Sequence, residues 1–316
     1  LMAVHSEIGD FLEKNYGRSL VIAELVSDSN ELVFKLQTID NQCFALKIYR
    51  SSGAPGRERL AEIGAFLAFL TKKKLAVTSP VQACSGEVVA SIFFEKKTCP
   101  AALFHWLDGE KPAPTMTEGF ARKQGEWLAR MHLAAVEFAS KNGTPLHLTV
   151  IDGDFVGKTS LWLPDALPEP VFSPNEKQDL GKKLEEIAAF SPLFAQNPEN
   201  FGRIHSDLHP GNWLKIDQNP AVIDWDELAF GPFLLDIAVV CEGFESTGIP
   251  HFGAFLAGYG SKKALPRDFT DQFLVAKQLT NVLFATWLFH PNNHFARENM
   301  GVDGQKQAIF RILRRI

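Results

Sequence analysis

A short hairpin flanked by polar residues is the feature that most limits what this chain can fold into. Two apolar segments, residues 213–216 and 221–224, flank the turn-forming residues 217–220. If the turn centres on Gln218, Asn212 lies directly opposite Asp224, because both residues are equally far from that centre. Cross-strand partners lie about 5 Å apart. The hairpin therefore predicts that a carboxylate and an amide oxygen can share a cation that prefers oxygen ligands.

Asp207 adds a second carboxylate to this stretch. It precedes Asn212 on a loop that also contains Pro210 and Gly211. A carboxylate on such a loop can contact a hydroxyl group, whereas Asn212 and Asp224 supply oxygen ligands for a metal ion. The combination predicts chemistry at a hydroxyl beside a bound cation rather than a purely structural turn.

The composition of the 316 residues is that of a globular protein. Hydrophobic residues make up 46% and charged residues 22%, the net charge is −5, and no long basic segment occurs. The longest apolar segments are far shorter than the roughly 20 residues that span a bilayer. We therefore expect neither a nucleic-acid partner nor a membrane partner.

The cysteines and the N-terminal residues predict a cytoplasmic protein. Cys43, Cys84, Cys99 and Cys241 form no CxxC pair and lack metal-ligand spacing. Because most of them stand in or beside apolar or strand-like segments, buried free thiols in a reducing compartment are expected. The first residues include acidic side chains and lack the apolar core of a secretory signal.

The first part of the chain is predicted to be rich in strands, with one inserted helix. A short amphipathic helix is expected over residues 4–15. Alternating apolar residues and polar turns then predict an antiparallel meander. A period of three to four residues predicts a helix next, and Ser85-Gly86 predicts a final hairpin. The predicted meander strands are 19–26, 31–37 and 42–49, the helix is 57–73, and the hairpin strands are 81–84 and 87–95.

The pattern becomes mostly helical after residue 103. Residues 141–173 contain many glycines and prolines and allow no clear assignment. His132 lies on the apolar face of its predicted helix, and we expect it to be a hydrogen-bonded core residue. The chain therefore has an α+β pattern, with a β-rich part at 1–103 and an α-rich part at 104–316. The predicted helices are 117–140, 175–190, 232–244, 251–259, 268–289 and 304–316.

Residues in both parts resemble the aminoglycoside phosphotransferase and choline kinase-like branch of the protein-kinase-like fold. The pattern His-x-Asp-x4-Asn begins at His205, Asp224 follows it, and Gly-Pro-x3-Asp ends at Asp236. In the first part, Phe-Ala-Leu-Lys-Ile-Tyr-Arg contains Lys47, and Glu62 lies on the helix predicted next. The resemblance implies a two-lobed fold in which the first part binds the nucleotide and the second carries the catalytic and acceptor-binding residues.

The resemblance also implies a role for each of these residues in an ATP- and Mg²⁺-dependent transfer. Asp207 would orient the acceptor hydroxyl and accept its proton. Asn212 and Asp224 would bind Mg²⁺ at the nucleotide phosphates. Lys47 would contact the phosphates, and Glu62 would pair with its ammonium group.

Further residues are matched to supporting roles or depart from the family pattern. His205 and Asp236 resemble residues that hold the catalytic loop. No glycine occurs between residues 20 and 36, so the turn that contains Ser29 and Asn30 would have to cover the phosphates. Ser206 stands where many relatives carry glycine.

The acceptor is predicted to be a small hydroxylated molecule. Only a short segment separates Asp224 from Asp236, which leaves no room for the long activation segment of regulated protein kinases. Aminoglycosides, aminocyclitols, homoserine, choline and similar amino-alcohols all remain open. A set of acidic residues favours an acceptor that carries an amine. The residues assigned to the acceptor side are His209, Asp226, Glu227 and Glu242, with Glu245 beside them.

Three other functions remain as alternatives. A protein Ser/Thr kinase of the same fold would carry the same motifs. A nucleotide-binding module without catalysis is disfavoured, because its catalytic positions would not need to be filled. A P-loop at residues 153–159 is disfavoured as well, since three residues rather than four separate its glycines.

Overall fold

The structure is a computed structural model that describes residues 2–28, 31–50, 56–112, 116–169, 171–290 and 294–313. It contains both antiparallel sheet and long helices, so the predicted α+β class is confirmed. The described residues divide into two compact units. Unit 1 comprises Leu1–Lys111, Pro145–His147 and Leu214–Asp226; unit 2 comprises Pro112–Thr144, Leu148–Trp213 and Glu227–Ile316. The division of the chain at residue 103 stays a prediction.

Unit 1 is built on a five-stranded antiparallel sheet of order β1-β2-β3-β5-β4. Along β2, exposed and buried residues alternate, as expected for a strand with one face on the core. Apolar residues of helix α1 pack on that core, which confirms the predicted N-terminal helix. The elements are α1 (Met2–Tyr16), β1 (Leu20–Asp28), β2 (Glu31–Thr38), β3 (Cys43–Tyr49), α2 (Arg57–Lys72), β4 (Val89–Phe94) and β5 (Lys97–His105).

The predicted hairpin between residues 81–84 and 87–95 is wrong. Strand β4 pairs with β5, which the sequence did not predict, and residues 81–84 form no strand. The reversal between these strands occurs at Glu95 and Lys96, both with positive φ. Two such residues make a type I′ turn without glycine, so the usual sequence signal for this hairpin is missing. Pro100 within β5 further weakens the strand signal.

Unit 2 consists mainly of helices, and each helix predicted in it is found. Five have bounds within three residues of those predicted, and the last begins ten residues earlier than predicted. Its three-stranded sheet, of order β6-β10-β7, was not predicted, because these strands have only two to four residues. The elements are α3 (Glu118–Asn142), β6 (Thr149–Val150), α4 (Gly153–Ser160), α5 (Leu163–Ala166), α6 (Pro174–Ala188), α7 (Ser191–Phe194), β7 (Phe201–Ile204), β10 (Ala229–Pro232), α8 (Phe233–Thr247), α9 (Phe252–Gly260), α10 (Phe269–Phe289) and α11 (His294–Leu313).

The segment that resembled a P-loop is helical. Helix α4 covers these residues, and the Asp152 side chain caps its N-terminus by accepting a hydrogen bond from the Phe155 backbone. A P-loop needs a non-helical loop whose backbone N–H groups surround a phosphate. The P-loop alternative is therefore wrong.

The predicted hairpin around residues 213–224 is present as strands β8 (Trp213–Ile216) and β9 (Asn219–Val222). Its turn residues, Asp217 and Gln218, both have positive φ. The turn therefore centres between them rather than on Gln218, as expected for a two-residue hairpin loop. Asn212 and Asp224 both lie outside the paired strands, so the predicted direct pairing of these two residues is not part of the hairpin.

No helix among the described residues is long and apolar enough to cross a membrane.

Candidate active site

Lys47 lies at the centre of a charged cluster in unit 1. Strand β3 buries Leu46 and Ile48 on one face and thereby directs Lys47 to the other. The Lys47 ammonium lies 2.5 Å from Oδ1 of Asp224 and 2.8 Å from Oδ2 of Asp226. Both carboxylates are more than 170 positions away in sequence. We call Lys47, Tyr49, Asp224 and Asp226 the Lys47 cluster.

The electrostatics of this cluster keep Lys47 charged. Burial alone would lower the pKa of its ammonium group, but the carboxylates of Asp226 and Asp224 raise that pKa well above its ordinary value. Asp226 is itself held in place, because Tyr49 donates to its Oδ1 at 3.4 Å. Arg59 donates to its backbone oxygen at 2.9 Å. The cluster therefore fixes a charged lysine, the form that binds phosphate oxygens.

The predicted ion pair between Glu62 and Lys47 is wrong in this structure. Glu62 lies on α2, as expected, but its two carboxylate oxygens accept hydrogen bonds from the backbone N–H groups of Leu146 and His147, at 2.8 and 3.2 Å. Asp226 pairs with Lys47 instead. Asp226, predicted on the acceptor side, therefore belongs to the Lys47 cluster. Its position two residues after Asp224 is the sequence signal for this pairing.

In unit 2, the buried Asp236 holds the start of the 205–212 loop. Its Oδ2 accepts from the His205 backbone N–H at 3.0 Å, and its Oδ1 accepts from the Ser206 backbone N–H at 2.7 Å. The His205 side chain turns towards the loop, where Nδ1 accepts from the Asp207 backbone N–H at 3.3 Å. His205 and Asp236, which the sequence matched to supporting roles, thus lie together with both side chains fully buried.

Ser206 adopts a backbone conformation that explains why glycine suits this position. Its φ is +63°, in the left-handed region that side chains disfavour. The Ser206 hydroxyl donates a hydrogen bond to the Glu227 carbonyl oxygen at 2.6 Å. This contact offsets part of the backbone cost and joins the loop to the segment before β10.

Asp207 and Asn212 are brought together by the short 3₁₀ turn at the end of the loop. The Asn212 amide nitrogen donates to both the backbone oxygen of Asp207, at 2.8 Å, and its Oδ2, at 3.1 Å. Nε2 of His209 lies 3.6 Å from the same Oδ2. The Asp207 side chain remains 44% exposed, whereas Asn212 is buried. The carboxylate is therefore oriented by two neighbours while it stays accessible to another molecule.

Buried packing anchors the far end of this loop. The Trp213 indole N–H donates to the Leu208 carbonyl oxygen at 3.2 Å, and its ring packs edge-on against Trp127 with centroids 5.5 Å apart. A Cβ added at Gly243 of α8 would lie 2.6 Å from the Pro210 ring, so the helix approaches the loop closely. These contacts hold the loop without using the Asp207 side chain.

The acidic set assigned to the acceptor side is partly compensated. Lys277 of α10 pairs with Glu242 at 3.3 Å and with Glu245 at 2.8 Å. Glu227 contributes its backbone oxygen to the Ser206 contact, and its carboxylate belongs to an exposed residue. With Asp226 in the Lys47 cluster, the set does not form a single unpaired acidic surface.

The turn assigned to phosphate covering, Ser29 and Asn30, lies outside the described residues. The neighbouring Asp28, whose negative charge would disfavour phosphate, forms an ion pair with Arg50. That pairing compensates the charge at the end of β1. The assignment of Ser29 and Asn30 stays a prediction.

Asn212 and Asp224 each offer an oxygen of the kind that Mg²⁺ prefers. Among the described residues no group of three or more His, Cys, Asp or Glu could hold a metal. Mg²⁺ in kinases, however, needs only one or two protein oxygens, since phosphates and waters complete its coordination. Because Asn212 donates through its nitrogen to Asp207, its amide oxygen points elsewhere. Asp224 is 46% exposed and offers carboxylate oxygens.

Comparison with known proteins places this geometry in a family. Residues 21–269 match the Phosphotransferase enzyme family. The chain is 28% identical to the homoserine kinase of Bradyrhizobium sp. (strain ORS 278), with 82% of this chain and 76% of that protein covered.

Solved structures share the fold at low sequence identity. The amicoumacin kinase hAmiN, solved with AMP-PNP and Ca²⁺, has a TM-score of 0.71 at 17% identity and covers 91% of this chain and 88% of its own. A microcompartment-associated aminopropanol kinase has a TM-score of 0.63 at 18% identity and covers 98% and 99%. The predicted kinase-like fold and the predicted activity, a phosphotransferase for small hydroxylated molecules, are confirmed. The chain belongs to the Phosphotransferase enzyme family, whose kinase-like members imply ATP as the phosphate donor.

Proposed function

We propose that this enzyme transfers the γ-phosphate of ATP, with Mg²⁺, to the hydroxyl of a small amino-alcohol of the homoserine type. The observation that carries the proposal is the state of the Asp207 carboxylate. It is accessible, yet Asn212 orients it, and the buried Asp236 fixes the backbone beside it. A group that accepts a substrate proton needs this combination of access and fixed orientation.

Asp207 orients the acceptor hydroxyl and takes its proton as the oxygen attacks the γ-phosphate. His209 supports this role through its tautomer. The Gly211 backbone N–H donates to Nδ1 of His209 at 3.0 Å, so in the neutral imidazole Nε2 carries the proton and faces Asp207. Nε2 of His209 lies 3.6 Å from Oδ2 of Asp207, and the Asn212 amide donates to the same oxygen, so both side chains face the carboxylate.

Lys47 binds the nucleotide phosphates, and the carboxylates of the Lys47 cluster keep its ammonium charged and in place. Asn212 and Asp224 would hold Mg²⁺, which when bound neutralises the charge of the phosphates. Asp226 keeps the lysine in place through a carboxylate that is only 14% exposed. In this assignment Asp226 takes the part that the sequence had given to Glu62.

The choice of a homoserine-type acceptor rests on charge and on relatives. The homoserine kinase relative covers most of the chain. On α8 and α10, Glu242, Glu245 and Lys277 present both signs of charge, next to the turn of α8 that packs on Pro210. Such a cluster suits a zwitterionic amino-alcohol better than a polycationic aminoglycoside, which would require an uncompensated acidic surface.

A spectrophotometric assay of ADP release tests the proposal across L-homoserine, 1-amino-2-propanol, choline, spectinomycin and an aminoglycoside. We expect L-homoserine to give the highest kcat/KM. Asp207→Asn should lower kcat by about 10²–10⁴-fold, the scale of a positioned general base, with the thermal midpoint unchanged. Asp217→Asn, the same change in the exposed turn between β8 and β9, serves as the matched control. Full turnover by Asp207→Asn would contradict the assignment of the base, and preference for another acceptor would contradict the homoserine type.

A further inference from the structure

Asp236 has a third contact that reaches away from the 205–212 loop. Nε2 of His132, on α3, lies 3.0 Å from Oδ2 of Asp236, and Nδ1 of His132 lies 2.9 Å from the hydroxyl of Tyr259, on α9. His132 and Asp236 are fully buried, and Tyr259 is 2% exposed. A buried polar group without partners costs free energy, so each of these atoms must be matched as donor or acceptor.

The hydrogen bonds at Asp236 determine the direction of this chain of contacts. Two backbone N–H groups donate to the carboxylate, one to each of its oxygens. An ionised carboxylate only accepts, so Nε2 of His132 must carry a proton and donate. Burial lowers the pKa of His132, which favours the neutral imidazole, and Nδ1 is then an acceptor. Burial also raises the pKa of Tyr259, so its hydroxyl keeps the proton and donates to Nδ1.

The position of Tyr259 depends on an unusually close crossing of α3 and α9. A Cβ added at Gly125 would lie 1.9 Å from the backbone oxygen of Phe255, and one added at Gly258 would lie 2.0 Å from the backbone oxygen of Arg122. The two helices therefore touch backbone to backbone on both sides of the crossing. This approach brings a tyrosine hydroxyl within reach of a histidine that is itself buried on α3.

A second contact fixes the plane of the imidazole ring. The ring of His132 stacks on that of Phe233, with centroids 4.2 Å apart and planes 16° from parallel. Phe233 is the first residue of α8, the helix that carries Asp236. Ring rotation is thus restricted by stacking, and the tautomer is fixed by the two hydrogen bonds.

We propose that His132 and Tyr259 are positioning residues for phosphoryl transfer, which act on the 205–212 loop through Asp236. The Tyr259 hydroxyl donates to Nδ1 and holds the imidazole in place, the imidazole orients the carboxylate, and the carboxylate holds the backbone of His205 and Ser206. That backbone in turn places Asp207. The effect on catalysis rests on Asp207 being the base; the effect on the loop does not.

Tyr259→Phe tests the proposal with the smallest possible change, the loss of one hydroxyl. Nδ1 of His132 then lacks its donor, so one of the two hydrogen bonds that hold the imidazole is lost. We expect amide hydrogen exchange of His205 and Ser206 to become about 10-fold faster, the effect of one weakened hydrogen bond. Tyr16→Phe is the matched control, because Tyr16 is also a buried tyrosine but lies in unit 1.

Kinetics and NMR give readouts that a merely structural role would not move. With Mg·ATP and L-homoserine, Tyr259→Phe should lower kcat about 3- to 10-fold and leave the KM for ATP unchanged. His132→Gln, whose amide can still donate to Asp236, should retain more activity than His132→Leu. In the wild type, ¹⁵N spectra should show Nδ1 of His132 without a proton and Nε2 with one.

Several results would overturn the proposal. Loop exchange and kcat in Tyr259→Phe that equal those of Tyr16→Phe would do so, as would a proton on Nδ1. If L-homoserine is not phosphorylated by the wild type, only the homoserine assignment fails. The exchange and NMR measurements still decide whether His132 and Tyr259 hold the loop.

Discussion

The two clusters that carry the proposed chemistry hold their key side chains by opposite means. In the Lys47 cluster, a long side chain is held by charge, through two carboxylates that contact its ammonium directly. In the 205–212 loop, a short side chain is held through the backbone beside it, which a fully buried Asp236 fixes. The first arrangement leaves the lysine side chain only 13% exposed, and the second leaves the Asp207 carboxylate accessible.

The difference follows from what each group has to do. A phosphate-binding lysine needs a charge and a long side chain, and its flexible stem can adjust to the position of the phosphates. A general base needs a fixed position, because a small displacement of a catalytic group can greatly slow a reaction. Buried contacts to the backbone give that precision, but they tolerate substitution poorly. We therefore expect the two clusters to respond very differently to the same substitution.

Replacing one aspartate in each cluster, Asp236 and Asp226, by asparagine is the strongest test of this difference. In Asp236→Asn, an amide N–H₂ replaces an oxygen that accepts backbone or histidine hydrogens, and the charge that pairs with those donors is lost. We expect unfolding free energy to fall by about 3–5 kcal/mol and kcat to fall at least about 10-fold.

Asp226→Asn should behave differently, because Asp224 still pairs with Lys47. We expect a smaller loss of stability than in Asp236→Asn and a rise in the KM for ATP of about 3- to 10-fold, with kcat little changed. Urea titration and steady-state kinetics measure both variants. Equal losses of stability in the two variants would show that the clusters are not held by different means.

The sequence predicted the key polar residues of these clusters better than it predicted the residues that pair with them. Lys47, Asp207, Asn212 and Asp224 could be singled out because a motif fixes their spacing. The partner of Lys47 could not, since Glu62 and Asp226 are both acidic and the choice depends on where the segment after β9 runs. Tyr259 was missed altogether, because its partner lies more than 120 residues away in sequence.

The fold shows the same division between local and long-range information. The strands of the meander and the helix α2 were predicted within one or two residues, because alternation and helical period are local signals. Strand β5 and the sheet β6-β10-β7 were not. Their pairing depends on residues far apart in sequence, and the strands of the small sheet are too short to show a period.

The pH dependence of stability also distinguishes the two clusters. Asp236 contacts a buried neutral histidine, His132, whereas the Lys47 cluster contains no histidine. Burial lowers the pKa of His132, Lys263 lowers it further, and Asp236 opposes both. Below about pH 6.5 the unfolded chain therefore binds a proton that the folded chain does not, and stability falls as the pH drops. The loss is at most about 1.4 kcal/mol per pH unit from this one group.

His132→Gln removes this titration. We expect thermal midpoints measured from about pH 7.5 to about pH 5.5 to fall less steeply in His132→Gln than in the wild type. His132→Leu also removes the titrating imidazole, so it is a control for the loss of that ring. Parallel pH profiles in all three proteins would mean that His132 titrates alike in the folded and unfolded chains.

The smallest expected effect concerns Ser206, whose backbone has a strained, positive φ. Its positive φ costs about 1 kcal/mol, and the hydroxyl contact with the Glu227 carbonyl returns a similar amount. Ser206→Ala loses the contact and keeps the strain, so we expect a loss of about 1 kcal/mol. Ser206→Gly loses both and should lie within about 0.5 kcal/mol of the wild type, since glycine also gains entropy when unfolded.

Urea denaturation of the two variants against wild type measures this difference directly. Because Asp236 binds the backbone N–H of Ser206 rather than its side chain, that contact is intact in both variants. Activity should therefore stay close to that of the wild type in Ser206→Gly. If Ser206→Gly were instead the less stable of the two, the hydroxyl contact would not offset the strain at this position. If both variants lost kcat as strongly as Asp236→Asn, the Ser206 side chain, and not only its backbone, would be needed to hold the loop.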